Sequence, residues 1–186
     1  MNNVGATGRS PIHDVGKKSR HSVRLKNFDY SSPGAYFITI CAHDHECLFG
    51  KVIGENGKLS VCLSDYGKIV NDEWLKSGEI RKEIILDDYV LMPNHFHGII
   101  FLRKGDQPVA PTMSGPRPGS IGSTIAGFKS AVTTKINTLR NTPGVPIWQR
   151  NYYERVIRNE TELNSIREYI KYNPLNWETD EEFVGK

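Results

Sequence analysis

Two histidines flank one bulky apolar residue in the run Pro93-Asn94-His95-Phe96-His97-Gly98-Ile99-Ile100. Side chains alternate faces along a strand, so His95 and His97 share a face and can reach one metal ion while Phe96 points the other way. Taken alone, a His-x-His pair is a weak signal and a structural pair is its commoner outcome. The rest of the chain must supply partners, and a helix near the C-terminus does so. Tyr169 and Asn173 are four residues apart, within about 40° of each other on a helical wheel. Measured from the middle of the apolar stripe Leu163, Ile166 and Ile170, Asn173 lies about 40° away, Tyr169 about 80° and Tyr172 about 140°. Tyr169 is thus the tyrosine at the margin of the buried face, a place that equally suits a boundary residue packing its ring and wetting its hydroxyl.

A second set of potential ligands, Cys41, His43, His45 and Cys47, alternates along the chain. On a straight strand alternate residues are about 6.6 Å apart and the outer pair about 20 Å apart. They cannot converge on one ion without a sharp bend, so a four-ligand zinc site is not expected there.

The elements that must position these groups follow from periodicity. Tyr36 to Cys41 is aromatic and β-branched, and Cys47–Ile53 and Lys58–Cys62 flank the turn Gly54-Glu55-Asn56-Gly57, giving a strand and a hairpin. Ser64 caps a helix over Asp65–Ser77 whose apolar side holds Ile69, Val70, Trp74 and Leu75. Ile84–Leu91 and His95–Leu102 read as antiparallel strands joined by Met92-Pro93-Asn94. Ile121, Ile125, Phe128, Val132, Ile136 and Leu139 recur at helical spacing, with Lys129 and Lys135 off the apolar face. Pro146 to Ile157 is extended. Asn159 and Glu162 open a last helix, Glu160–Asn173, which Pro174 stops. Because Asn173 precedes a proline, it is expected on a frayed last turn. The order strand, helix, strand, strand, helix, strand predicts an α+β fold: a ferredoxin-like (RRM-like) antiparallel sheet covered by helices, with an extra hairpin and a C-terminal helix carrying the tyrosine.

With 186 residues, 38% hydrophobic and 24% charged, the chain has material for one core. Residues 1–32 read as a mobile basic arm, 33–177 as a single domain in which the Pro/Gly-rich stretch 103–119 is a flexible loop, and 178–186 as a short acidic tail. No run of about 18 apolar residues is present for a membrane span and residues 1–7 lack the apolar part of a signal peptide, so a cytoplasmic protein is expected. Three cysteines without paired spacing indicate neither a disulfide framework nor a cysteine zinc site. The net charge of +3 is compatible with nucleic acid but does not argue for it.

Three separated segments, Leu91-Met92-Pro93-Asn94-His95-Phe96-His97-Gly98-Ile99, Trp148 through Asn159, and Ile166-Arg167-Glu168-Tyr169-Ile170-Lys171-Tyr172-Asn173-Pro174, together resemble the REP-associated tyrosine transposases of the single-tyrosine HUH (IS200-like) superfamily. The resemblance runs from about Arg24 to Trp177. It implies an enzyme that cleaves and rejoins single-stranded or hairpin DNA, acting on REP-like elements near the nucleoid. It further implies that His95 and His97 are the metal pair, Tyr169 the nucleophile that forms a 5′-phosphotyrosine, and Asn173 the third metal residue. The metal would be Mg2+ or Mn2+, since carboxamide oxygen suits the first and imidazole the second. The family allows monomers and homodimers. Lys129, Arg150, Arg155 and Arg158 are candidates for phosphate contacts, and Trp148, Tyr152 or Tyr153 for base stacking, with a solvated basic surface over core aromatics an even alternative. The competing reading of the whole chain is a non-catalytic nucleic-acid-binding module on the same sheet, although the RNA-recognition signature is absent.

Overall fold

The structure, a computed structural model, describes residues 28–55, 58–103, 116–180 and 182. The basic arm up to residue 27, most of the Pro/Gly-rich loop and the Asn56-Gly57 turn lie outside these. The elements are β1 (Gly34–Cys41), β2 (Gly50–Glu55), β3 (Lys58–Leu63), α1 (Asp65–Ile80), β4 (Ile84–Leu91), β5 (His95–Leu102), α2 (Ile121–Leu139), β6 (Tyr153–Ile157) and α3 (Glu160–Tyr172). Short 3-10 segments cover His43–His45 and Asn173–Thr179.

The main sheet has the order β4-β5-β1-β6, and every neighbouring pair is antiparallel. With the β2–β3 hairpin set aside, this is the ferredoxin-like arrangement that the element order predicts. Central strands β1 and β5 are buried on both faces, which is why they read as continuous apolar runs rather than alternating ones. One face carries Tyr36, Ile38, Ile40, Phe96 and Ile100 against Val70 and Trp74 of α1 and Phe128 and Val132 of α2. The other carries Phe37 and Ile99 against Ile166 and Ile170 of α3. Tyr30, at the end of the N-terminal arm, is only 8% exposed and packs its ring 6.1 Å from Tyr36.

Several boundaries differ from the sequence expectation. Helix α1 runs three residues further, to Ile80, and Leu75 is exposed because Gly67, Val70, Trp74 and Ser77 form the buried side. Leu139, in the last turn of α2, is also exposed. Gly54 and Glu55 continue the hairpin ladder opposite Leu59 and Lys58 instead of belonging to the turn. Pro174 does not end helical structure: lacking an N–H, it is tolerated early in the 3-10 segment that follows α3. Asn173 stays helical (φ −55°, ψ −43°), its N–H bonded to the Ile170 carbonyl, and is fully buried rather than frayed.

Gly98 lets β5 approach α1. A Cβ there would lie 2.8–2.9 Å from Phe96 ring carbons and 2.9 Å from Trp74 Cζ2, both in the middle of the core. Gly98→Ala should therefore lower stability by about 1–3 kcal/mol, the scale of overpacking, as measured by urea denaturation.

Candidate active site

His95 and His97 project from the start of β5 onto the α3 face, opposite Cys41 and Thr39 of β1. Their rings are 4.5 Å apart, and both residues are buried. Phe37 stacks on the His97 ring at 5.3 Å, fixing its plane. Thr39 Oγ1 lies 2.8 Å from His97 Nδ1, so Nε2 is the nitrogen that faces the site.

Asn94 settles the tautomer of His95. Its Nδ2 donates to the backbone carbonyls of Glu182 (2.6 Å) and His45 (3.3 Å), which leaves Oδ1 as the atom 2.8 Å from His95 Nδ1. A carbonyl oxygen only accepts, so Nδ1 carries the proton and Nε2 presents a lone pair. That Nε2 is buried and has no hydrogen-bond partner among the described residues. Burial also holds the His95 pKa below its ordinary value, against the opposing pull of the Asp180 and Glu182 carboxylates and of Asn173. A neutral imidazole with a free lone pair is the form that binds a metal.

Helix α3 brings Tyr169 to this pair. Its hydroxyl lies 3.1 Å from His97 Nε2, and its ring packs edge-on to Phe37 at 6.2 Å. One turn later Asn173 is fully buried, with Nδ2 donating to Asp180 Oδ2 at 3.0 Å and Oδ1 without a hydrogen-bond partner among the described residues. Arg167 holds the helix against β4 through Asp87, with Nη2 to Oδ2 at 2.6 Å. All four groups singled out in the sequence thus meet within one chain.

Asp180 was not singled out. The 3-10 segment after Pro174 returns the chain to the site, and the Asp180 carboxylate sits 3.5 Å from the Tyr169 hydroxyl and 4.0 Å from His95 Nε2. Ligand atoms of His95, His97 and Asp180 all lie within 4.8 Å of one another. The only sequence signal was an acidic tail, which says nothing about where the tail goes. Two imidazoles, a carboxylate and the orphaned amide oxygen of Asn173 make a donor set fit for a divalent cation. Beside it, a cleft of about 690 Å³ opens between the hairpin and the 3-10 segment, lined by residues that include Lys51, Leu59, Leu175 and Trp177. The Trp177 ring is 6.0 Å from His95.

The residues considered for DNA contact are mostly occupied. Trp148 is a core residue, 5% exposed and 4.8 Å from Phe49 ring to ring, so it offers no stacking platform. Lys129 Nζ donates to the carbonyls of Gln149, Arg150 and Asn151, and burial lowers its pKa. Tyr152 donates its hydroxyl to Glu154, and Arg155 pairs with Glu162 at 2.6 Å. Arg150 and Arg158 are exposed.

No family model matches the chain. Its fold is similar to that of a solved REP-associated tyrosine transposase bound to a REP hairpin, with a TM-score of 0.57 and 20% identity over 82% of this chain and 73% of that one. At the level of sequence, an uncharacterized protein of Haemophilus influenzae is 38% identical over 181 residues, covering 92% of this chain and 97% of the relative. The chain belongs to the family of that protein. Among the described residues, no helix is long and apolar enough to cross a membrane.

Lys129 binds the segment leading into β6, so Lys129→Met should lower stability by about 2 kcal/mol through lost charged hydrogen bonds. Urea denaturation alongside hairpin-DNA titration of the folded variant checks this; a loss of affinity at unchanged stability would return Lys129 to the DNA surface.

Proposed function

We propose that the chain is a REP-associated tyrosine transposase, a metal-dependent enzyme that breaks and rejoins single-stranded DNA through Tyr169. The observation that carries this is the Tyr169 hydroxyl held 3.1 Å from His97 Nε2, inside a buried set of metal donors of the same chain. The likeness of the fold to a transposase solved with a REP hairpin supports it. His95, His97 and Asp180, with Asn173, would hold a Mg2+ or Mn2+ ion, which supplies charge neutralisation at the scissile phosphate.

In this reading the Tyr169 oxygen forms a bond to phosphorus, the bond to the departing 3′-oxygen breaks, and that oxygen leaves as a 3′-hydroxyl. With His97 Nε2 reserved for the metal, the phenol proton has Asp180 Oδ2 as the acceptor in reach, and it is returned to the departing 3′-oxygen, so the step neither gains nor loses a proton. The 5′-phosphotyrosine conserves the bond, so a second 3′-hydroxyl can reverse the step and join a new end. Since Tyr169 reaches His97 within one chain, no second subunit is needed to complete the set. Hairpin DNA in the cytoplasm, on the chromosome or expelled from it, is the substrate class. Lys51 and Trp177 in the adjoining cleft suit a flanking nucleotide, one as a cation and one as a stacking face.

Incubation with Mn2+ and single-stranded DNA bearing a REP-like hairpin should give a covalent protein–DNA adduct on a denaturing gel. Tyr169→Phe should abolish it, and His95→Ala should slow its formation about 100-fold or more, the scale of removing one electrostatic stabiliser. An adduct that survives Tyr169→Phe would overturn the assignment.

A further inference from the structure

The 3-10 segment His43–His45 supplies the sharp bend that a straight strand lacks. Asp44 and His45 both take left-handed backbone angles (φ 52° and 55°), a conformation that side chains with a Cβ rarely adopt. The bend folds His45 back over the end of β1, next to Cys41. His43 and Cys47 do not join them; the third member comes from the chain end, as Glu182. The Cys41 thiol, a ring nitrogen of His45 and a Glu182 carboxylate oxygen lie within 4.8 Å of one another.

We propose that Cys41, His45 and Glu182 form a second divalent-metal site of the zinc class, separate from the His95–His97 pair. Thiolate, imidazole and carboxylate are the three donor types that zinc takes, and three protein ligands leave one position for water. Tetrahedral bonds of about 2.0–2.3 Å set ligand atoms about 3.3–3.8 Å apart, so a cluster spanning 4.8 Å closes on an ion with side-chain movements of about 1 Å. His45 Nδ1 and Glu182 Oε2 are already 3.2 Å apart.

A second observation points the same way. His45 Nδ1 is buried and makes no hydrogen bond among the described residues, although the Glu182 carboxylate is beside it. The other ring nitrogen, Nε2, is engaged by the Gln149 side-chain amide at 2.7 Å. Turning that amide by 180° puts its oxygen against Nε2–H and leaves Nδ1 as a lone pair aimed at Cys41 and Glu182. The arrangement is the usual one for a ligating histidine, whose far nitrogen is held by an outer partner. The cluster is distinct from the first set but linked to it, because Asn94 Nδ2 bonds the backbone carbonyls of both His45 and Glu182.

Cobalt titration of the full chain without DNA tests the site, since only a thiolate ligand gives the intense near-ultraviolet sulfur-to-cobalt band. That band should appear in the wild-type chain and in a His95→Ala/His97→Ala variant, and it should persist in Cys47→Ser and Cys62→Ser. Cys41→Ser should remove it, with the fold checked by circular dichroism. Glu182→Gln, close to the chain end, should weaken cobalt affinity about tenfold or more, at least the effect of losing an outer-shell partner. Absence of the band in the wild-type chain, its survival in Cys41→Ser, or unchanged affinity in Glu182→Gln would each overturn the proposal. None of these readouts depends on DNA cleavage, so the proposed transposase activity stands or falls separately.

Discussion

Burial of β1 and β5 on both faces is the constraint on which the rest of the molecule depends. A strand sandwiched between two layers must send successive side chains into different environments, and a slip of one residue would exchange them all. Here the even positions of β5, Phe96 and Ile100, fill the core beneath α1 and α2, and the odd positions His95, His97 and Ile99 face α3. Ring contacts from Trp74 to Phe96 at 4.4 Å and from Phe128 to Trp74 at 5.4 Å hold that register from the first side. The chemical face can then carry two buried imidazoles, because the opposite face supplies the apolar burial that keeps the strand in place.

Buried imidazoles need their second nitrogens satisfied, and the chain meets this with two neighbours of different kinds. Thr39 is the direct cross-strand partner of His97, so its hydroxyl arrives through sheet register alone. Asn94 precedes the strand and reaches His95 Nδ1 from the link between β4 and β5. A hydroxyl can donate or accept, whereas an amide with its nitrogen committed to two carbonyls can only accept at its oxygen. His95 is therefore the more strictly oriented of the two, and its orientation depends on where the Glu182 backbone lies.

Much of this was legible in the sequence, and the divide between what was and what was not is physical. The histidine pair, the helix bearing Tyr169 and the partnership of β4 with β5 all follow from local periodicity, which the strong apolar pattern of this chain makes plain. The placement of Asn173 was half legible: the wheel put it near the core, but the preference against helical angles before proline pointed to fraying, and burial with the Ile170 hydrogen bond overrode that preference. The burial of Trp148 and the carbonyl partners of Lys129 were not legible, because side-chain chemistry does not reveal which loops a residue will pack against. Lys129 donates to three successive carbonyls of the segment before β6. Asp180 and Glu182 were illegible, since an acidic tail has no periodicity and its route was decided by the 3-10 turn after Pro174.

That route explains why the end of the domain bears on the chemistry at its centre. Asn173 donates to Asp180, Asp180 accepts from the Glu182 backbone N–H at 2.8 Å, and the Glu182 carbonyl accepts from Asn94. Each link in this series joins the tail to a residue that faces a histidine or the tyrosine. The tail carboxylate also lies near the Tyr169 hydroxyl, where a phosphate oxygen would bring like charge. In the proposed reading a cation shared with Asp180 would offset that repulsion, leaving the carboxylate oxygen beside the hydroxyl able to accept its proton. The same electrostatics suit this donor set to a divalent ion: imidazole nitrogens and an amide oxygen bring no negative charge to it, and Asp180 is the group that does.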